Sequence, residues 1–497
     1  MLGYIARAWF LNYLLMAAML PSPSQAKATS DQIMAVQPAE QPVLRQQSTQ
    51  GLPDKVKEFI NKKKIPEDQI GVFIKDVAAD APLVLHDAEK LFNPASTMKL
   101  LTTWSALKVL GPAWRWNTEF WVRGQVIDGV LHGDLIIKGY GDPYLVYESF
   151  WQALNDLRIK GLRDITGDIV IDNSFFDTPE VNPGEFDGQP TRVYNAPPSA
   201  VMFNFQATRL LLTPQADQNK VDISAFPALK KDMIDNQFKL LGGRCSRSFT
   251  RPHVTRLADS VIRVSGKYAA DCGQRFVMLV MTSPEEHVFN AFTDFWSKLG
   301  GSVGGTYRIE TVQEGDQRFH VHTSIPLAEQ IRLINKWSNN VMTRQVLLSL
   351  GAKRYGAPAT LEKGRLAVLE SLDTQGVPVD GIVIDNGSGL SRYANVSPAQ
   401  FGRLLEIIWR DPYMPEFLNS LPLLGEDGTM NDRFRHTALS GRGRFKTGTL
   451  SHVSAIAGYL LTRSGKRMVV VVLMNGRQAG AYSQTVQNML LEWVFEQ

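Results

Sequence analysis

The sequence predicts an α/β sandwich assembled from the two ends of the chain and interrupted by a long β-rich insertion. Two observations carry this. Apolar, strand-like runs stand near both ends: Ile70-Gly71-Val72-Phe73-Ile74 and Leu83-Val84-Leu85 on one side, Ala455 to Leu461 and Met468 to Met474 on the other. Helical patterns lie between them, and strands so far apart in sequence fit two layers closed over one core. From about residue 118 to 317 the character changes, and short strand segments alternate with Gly and Asp turns. The expected division is therefore 51–117, first part of the sandwich; 118–317, inserted β-rich region; 318–497, second part.

Each element has its own signal. Val56, Phe59 and Ile60 form one apolar face among lysines, a short amphipathic helix. The two strands at 70–74 and 83–85 follow, joined by a polar loop with a proline. Next comes Pro94-Ala95-Ser96-Thr97-Met98-Lys99, running on through good helix formers to Leu110 and stopped by Gly111-Pro112. In the middle region Glu119 to Val126 and Val130 to Lys138 read as strands around Asp128-Gly129. A helix is expected from about Glu148 to Lys160, and a strand from Gly167 to Asp172. After Ile325, the residues Leu327, Ile331, Ile334 and Trp337 fall on one helical face that ends at Ser338-Asn339-Asn340. The turn Arg463-Ser464-Gly465-Lys466 makes a hairpin of the last two strands, and a final helix spans about Tyr482 to Phe495.

Composition sets limits. The chain has 497 residues, 44% hydrophobic and 21% charged, which is ordinary for a globular protein of two or three domains. A net charge of +4 is small for this length and gives no reason to expect a nucleic-acid partner. Arg7, the apolar run Ala8 to Leu20 and Ser24-Gln25-Ala26 have the layout of a secretory signal over residues 1–26, with an uncleaved anchor as the alternative. Residues 27–50, rich in Gln, Ser, Ala and Pro, read as a flexible leader, and no later stretch looks like a membrane span. Export would expose Cys245 and Cys272, the only cysteines, to an oxidising compartment. A single disulfide within the insertion is the expectation; two buried thiols are the alternative.

Chemistry enters at Ser96 and Lys99. Three residues apart near a helix start, they share a face. The apolar residues after them keep to no single stripe, as in a buried helix. Burial would deprive Lys99 of water and lower its pKa, leaving a base beside a nucleophile. The plain alternative makes Ser96 an N-cap and lets Lys99 reach solvent. Two further motifs favour the first reading: Ser338-Asn339-Asn340, and Lys446-Thr447-Gly448 followed by Thr449-Leu450.

Ser-x-x-Lys, Ser-x-Asn and Lys-Thr-Gly in that order resemble the signature of serine penicillin-binding proteins and serine β-lactamases. The gap of 242 positions between Ser96 and Ser338 is similar to that in class C low-molecular-weight penicillin-binding proteins. These are the D-alanyl-D-alanine carboxypeptidase/endopeptidases of the penicillin-binding protein 4 type, peptidase family S13. Gly133-Asp134-Leu135, Gly167 to Phe176, Ala196-Pro197-Pro198, Gly387-Ser388-Gly389-Leu390-Ser391-Arg392 and Gly425 to Thr429 add to the likeness, which covers nearly everything from residue 52 onward.

The resemblance implies a transpeptidase-like domain, an antiparallel sheet flanked by helices, interrupted by the insertion. It implies acyl transfer through Ser96 with Lys99 as base. Ser338 would pass a proton toward the leaving amine, and Asn340 would hold Lys99 and a substrate amide. Lys446 and Thr447 would meet a substrate carboxylate beside Gly448 and Thr449, with the Ser96 and Thr449 amides as oxyanion donors. Lys446, needing its charge, is expected to be better solvated or paired than Lys99. Asp172 would bind the substrate's free amino end; its alternative is a strand-end turn.

No cofactor or metal is implied. The partners would be peptidoglycan stem peptides and cross-bridges, with β-lactams as covalent inhibitors, and the place of work the periplasm. Two departures stand out: Asp385-Asn386-Gly387 where Asp-Gly often precedes Ser-Gly-Leu, and Thr343-Arg344 where many members have Ala-Glu.

Rival readings are a serine β-lactamase, which differs in deacylation, and a non-catalytic peptidoglycan-binding module, against which the three intact motifs argue. Gly300-Gly301-Ser302-Val303-Gly304 fits a nucleophile elbow, but a strand-like run follows where a helix is needed, so it reads as a turn. His320-Val321-His322 reads as surface histidines rather than metal ligands.

Overall fold

The last strands of the chain fold back on the first. In the computed structural model, which describes residues 51–229, 233–245, 252–257 and 261–497, the chain begins with helix α1 (Asp54–Lys63) and strands β1 (Ile70–Asp76) and β2 (Val84–His86). The expected signal and leader lie outside the described residues. A short 3-10 turn, Ala95–Met98, leads into α2 (Lys99–Leu110).

The middle of the chain supplies β3 (Asn117–Ile127), β4 (Val130–Gly139), α3 (Tyr147–Ile159), β5 (Asp164–Ile165) and β6 (Ile169–Asp172). Then come β7 (Thr208–Gln215), β8 (Lys220–Phe226), β9 (Ile234–Leu241), β10 (His253–Arg256), β11 (Ile262–Ala269) and β12 (Arg275–Leu279). It closes with α4 (Pro284–Lys298), β13 (Ser302–Val303), β14 (Tyr307–Ile309) and β15 (Gln317–Thr323). Helices α5 (Leu327–Trp337), α6 (Asn340–Tyr355), α7 (Leu361–Thr374), α8 (Pro398–Trp409) and α9 (Met414–Ser420) follow. Strands β16 (Gly443–Leu450), β17 (Val453–Leu461), β18 (Arg467–Asn475) and helix α10 (Arg477–Phe495) end the chain.

Strands β16-β17-β18-β1-β2 form one five-stranded sheet, antiparallel throughout. Its centre explains the continuous apolar run in β18. Val469, Val471 and Leu473 face a core that includes α2, α5, α6 and α8, whereas Met468, Val470, Val472 and Met474 face α1 and α10. A strand covered on both faces cannot alternate with polar residues, because successive side chains point to opposite sides. The middle strands pair among themselves in a seven-stranded sheet, built on β3 and β4 and covered by α3 and α4, and in two three-stranded sheets, β10-β11-β9 and β12-β7-β8. A small core that includes Cys272 fills the space between the latter two, and Cys245 and Cys272 are joined, closing a 27-residue separation.

Two expectations need correcting. Trp337 is exposed, not part of the buried stripe, because at the last turn of α5 it has drifted away from Leu327, Ile331 and Ile334. His320 and His322 are not surface residues. They sit on β15 with burial lowering both pKa values, and His320 lies against the Phe120 ring. Among the described residues no group of three or more His, Cys, Asp or Glu could hold a metal. Ser302 begins the two-residue β13 after the turn at Gly300, as a nucleophile elbow would not.

Candidate active site

Ser96 lies in the 3-10 turn that leads into α2, and its hydroxyl caps nothing. Ala95 before it takes a left-handed backbone (φ 45°), a conformation disfavoured for alanine. The turn is pinned from three sides. Asn93 Oδ1 accepts from the Ala95 amide (2.9 Å), Asn475 Oδ1 accepts from the Asn93 amide (2.7 Å), and Asn93 Nδ2 donates to the Ser391 carbonyl (2.9 Å). Gly389 permits that approach. A Cβ there would fall 1.8 Å from the Ala95 carbonyl oxygen.

Lys99 opens α2 and is completely buried, so it does not reach solvent. Its Nζ lies 2.7 Å from Asn340 Oδ1, 2.5 Å from the Ser388 carbonyl oxygen and 3.1 Å from Ser96 Oγ. An ammonium would donate to all three. A neutral amine has two N–H groups and one lone pair. Asn340 Oδ1 and the Ser388 carbonyl can only accept, so the lone pair must face the Ser96 hydroxyl. Burial, and after it the charges of Lys446 and Arg344, hold the Lys99 pKa well below the usual lysine value.

The Ser338-Asn339-Asn340 segment is a junction between helices. Ser338 ends α5 in a left-handed conformation (φ 56°), and the Asn339 side chain caps α6 by accepting from the Met342 amide. Asn340 therefore starts α6 with its amide aimed at Lys99. Ser338 Oγ lies 2.9 Å from Lys446 Nζ, which also donates to the Thr447 carbonyl (2.8 Å).

Lys446 corrects a further expectation. It is as buried as Lys99 and has no carboxylate partner, and burial alone lowers its pKa to about 7. Thr447 Oγ1 is 2.9 Å from Thr429 Oγ1. Gly448 brings the edge strand against the nucleophile turn: a Cβ there would meet the Ser96 nitrogen and the Pro94 carbonyl, each at 2.7 Å. Thr449 beyond it is exposed.

Asp172 is not in this group. Its side chain is wholly buried at the end of β6. One oxygen accepts from the Ser174 amide (3.0 Å) and hydroxyl (2.5 Å). The other accepts from the Val312 amide (3.0 Å) and pairs with Lys138 (3.3 Å). With both oxygens engaged, Asp172 sits here as a strand-end turn residue.

Asn93 and Asn475 were not singled out from sequence, and Ser388 and Thr429 stood only within stretches that carry the resemblance, with no role given to either. Ser388 acts through its backbone, which leaves no side-chain signature. Beside the cluster a cavity of about 320 Å³ is walled by Phe186, Asn195, Arg344, Asp385, Leu390 and Arg392 among others, with the Arg392 guanidinium over the Phe186 ring at 4.3 Å.

Residues 52–497 match the D-Ala-D-Ala carboxypeptidase 3 (S13) family. A D-alanyl-D-alanine carboxypeptidase of Actinomadura sp. (strain R39) is 29% identical over 440 residues, 84% of this chain and 80% of that protein. The D-alanyl-D-alanine carboxypeptidase DacB of Haemophilus influenzae is 23% identical over 430 residues, covering 84% of this chain and 88% of its own. The crystal structure of penicillin binding protein 4 from Haemophilus influenzae shares the fold: TM-score 0.74, 23% identity, covering 88% of this chain and 99% of that one.

Proposed function

This chain belongs to the D-Ala-D-Ala carboxypeptidase 3 (S13) family, and from that premise we propose that Ser96 carries its acyl-enzyme in the hydrolysis of peptidoglycan stem peptides. The protein is a serine-type D-Ala-D-Ala carboxypeptidase. The observation that carries the residue assignment is the Lys99 amine, buried, with acceptors on two sides and the Ser96 hydroxyl on the third.

The steps follow from the chemistry of those groups. Lys99 takes the Ser96 proton as Oγ attacks the carbonyl of the penultimate D-Ala. The Ser96 and Thr449 amides meet the developing oxyanion. Ser338, bonded to Lys446, hands its proton to the leaving D-Ala nitrogen as the C–N bond breaks, and takes up in exchange the proton that Lys99 removed from Ser96, so that Lys99 is neutral again. Lys446 and Thr447 hold the terminal carboxylate, and Gly448 lets the strand edge lie against the substrate. Water then cleaves the Ser96 ester and restores the hydroxyl. A D-Ala-linked cross-bridge presents the same bond, so endopeptidase cleavage is part of the reading, and a β-lactam would acylate Ser96 in the substrate's place.

Two further expectations fit this reading. An inserted middle region is supported by the separate pairing of its strands, although β15 pairs with β3 as far as Thr323 and so carries that region past the expected boundary at 317/318. Work in the periplasm is supported by the signal-like run at Ala8 to Leu20; among the described residues no helix is long and apolar enough to cross a membrane. The test is digestion of purified muropeptides. Release of D-Ala from pentapeptides, or splitting of cross-linked dimers, supports the assignment; intact substrates with folded protein overturn it.

A further inference from the structure

Helix α6 does more than present Asn340. One turn further along the same face stands Arg344, partly buried, with one side on the cavity already described. Its Nη1 donates to the Ala196 carbonyl at 2.8 Å, while Asn340 Nδ2 lies 3.4 Å from the Tyr194 carbonyl. The next residue, Gln345, exchanges two bonds with Ser199: it accepts from that amide (3.2 Å) and donates to that carbonyl (2.7 Å). Three side chains of α6 thus hold residues 194–199, a segment of the middle region, and one of the three also holds Lys99.

The charges near Lys99 are few. Lys446 faces it from β16 and Arg344 from α6. The carboxylate that acts on Arg344, Asp385, is itself engaged by Arg365, which donates to its carbonyl (2.6 Å) and pairs with its side chain (3.2 Å). Ser96, Asn340 and the Ser388 carbonyl are uncharged. A guanidinium keeps its charge wherever lysine would lose it, and Arg344, though burial lowers it to about 10 against the pull of Asp385, stays positive through neutral pH.

We propose that Arg344 is a positioning residue of this site, holding segment 194–199 against α6 while placing a permanent positive charge behind the Asn340–Lys99 pair. The charge opposes protonation of Lys99 even when Lys446 has lost its own. This inference rests on Lys99 being the base.

The experiment is the second-order acylation rate with a chromogenic cephalosporin, measured from acid to alkaline pH for the parent, R344K, R344Q and D385N. In R344Q the rising limb is expected to move to higher pH by about one unit. The rate on the acid side should fall about tenfold, with the maximal rate kept within a few-fold. R344K should stay on the parent's limb, because it keeps the charge. D385N should move the limb the other way, by less, and serves if R344Q does not fold. A merely structural role would lower the rate equally at every pH. Coincident limbs for R344Q and parent, or R344K displaced as far as R344Q, would overturn the proposal. With R344Q unfolded, a D385N limb that stays put or moves upward would do the same. A parent that is never acylated, or shows no rising limb, would instead overturn the reading of Ser96 and Lys99.

Discussion

Lys99 and Lys446 are both completely buried lysines in one cleft, yet their surroundings differ in kind. Lys99 opens a helix and meets three oxygens held by three separate segments, with two cations pressing on it. Lys446 sits within an edge strand, meets a hydroxyl and the carbonyl of its own neighbour, and is lowered by burial alone. Burial makes both amines reluctant to hold a proton. Only Lys99 has the added repulsion that keeps it neutral, which a base requires. Lys446 stands at about 7, near the point where an incoming carboxylate can restore its charge.

The largest expected effect breaks the first half of that contrast. Lys99→Arg places a group that keeps its proton where a base is needed, and acylation by a labelled penicillin should fall by about 10²–10⁴-fold. A variant that acylates like the parent would remove Lys99 as base.

Gly448→Ala should come next. Its methyl group would press on the Ser96 nitrogen and the Pro94 carbonyl, and overpacking costs about 1–3 kcal/mol. If the nucleophile turn bears that cost, acylation drops by about tenfold or more while thermal unfolding changes little. A loss of stability with unchanged acylation would place the strain elsewhere.

Lys446→Arg sharpens the second half. The charged form holds the carboxylate, and its folded-state pKa is depressed to about 7. In the parent, kcat/KM for a peptide substrate should therefore fall as pH rises through that value. The arginine variant should keep a substantial fraction of activity and lack that descending limb. An unchanged limb would assign it to another group.

The smallest effect on chemistry should follow replacement of both Cys245 and Cys272 by Ser. Loss of the crosslink should destabilise the small paired sheets by about 2–4 kcal/mol, seen in proteolysis of that region. Acylation of Ser96 should stay within about twofold; a large loss would tie that lobe to the cleft.

Much of the site was legible because its chemistry is written in side-chain types at short spacing. Ser96 and Lys99 needed only a helix, and the apolar residues around α2 announced the burial of Lys99. The five-stranded sheet was legible from its doubly apolar strands. Lys446 was misjudged because nothing local announces its burial. The strand Gly443–Leu450 is half polar, and its cover comes from residues hundreds of positions away, admitted by the missing side chain of Gly448. The surroundings of Asp172 were not legible because a strand-end aspartate looks the same whether it faces a ligand or its own turn; its partners are Ser174 and Val312, and Val312 lies 140 residues on. The Ser388 carbonyl and the grip of Arg344 on Ala196 involve backbone atoms, which sequence does not mark.

The most direct test is the intact mass of the protein after exposure to benzylpenicillin, for the parent and for Ser96→Ala, followed by mapping of the modified peptide. Losing the hydroxyl should leave the fold intact, since it caps no helix. The account expects one penicilloyl adduct on the parent, mapped to Ser96, and none on Ser96→Ala. An adduct that persists on folded Ser96→Ala, or that maps to another residue of the parent, would contradict it.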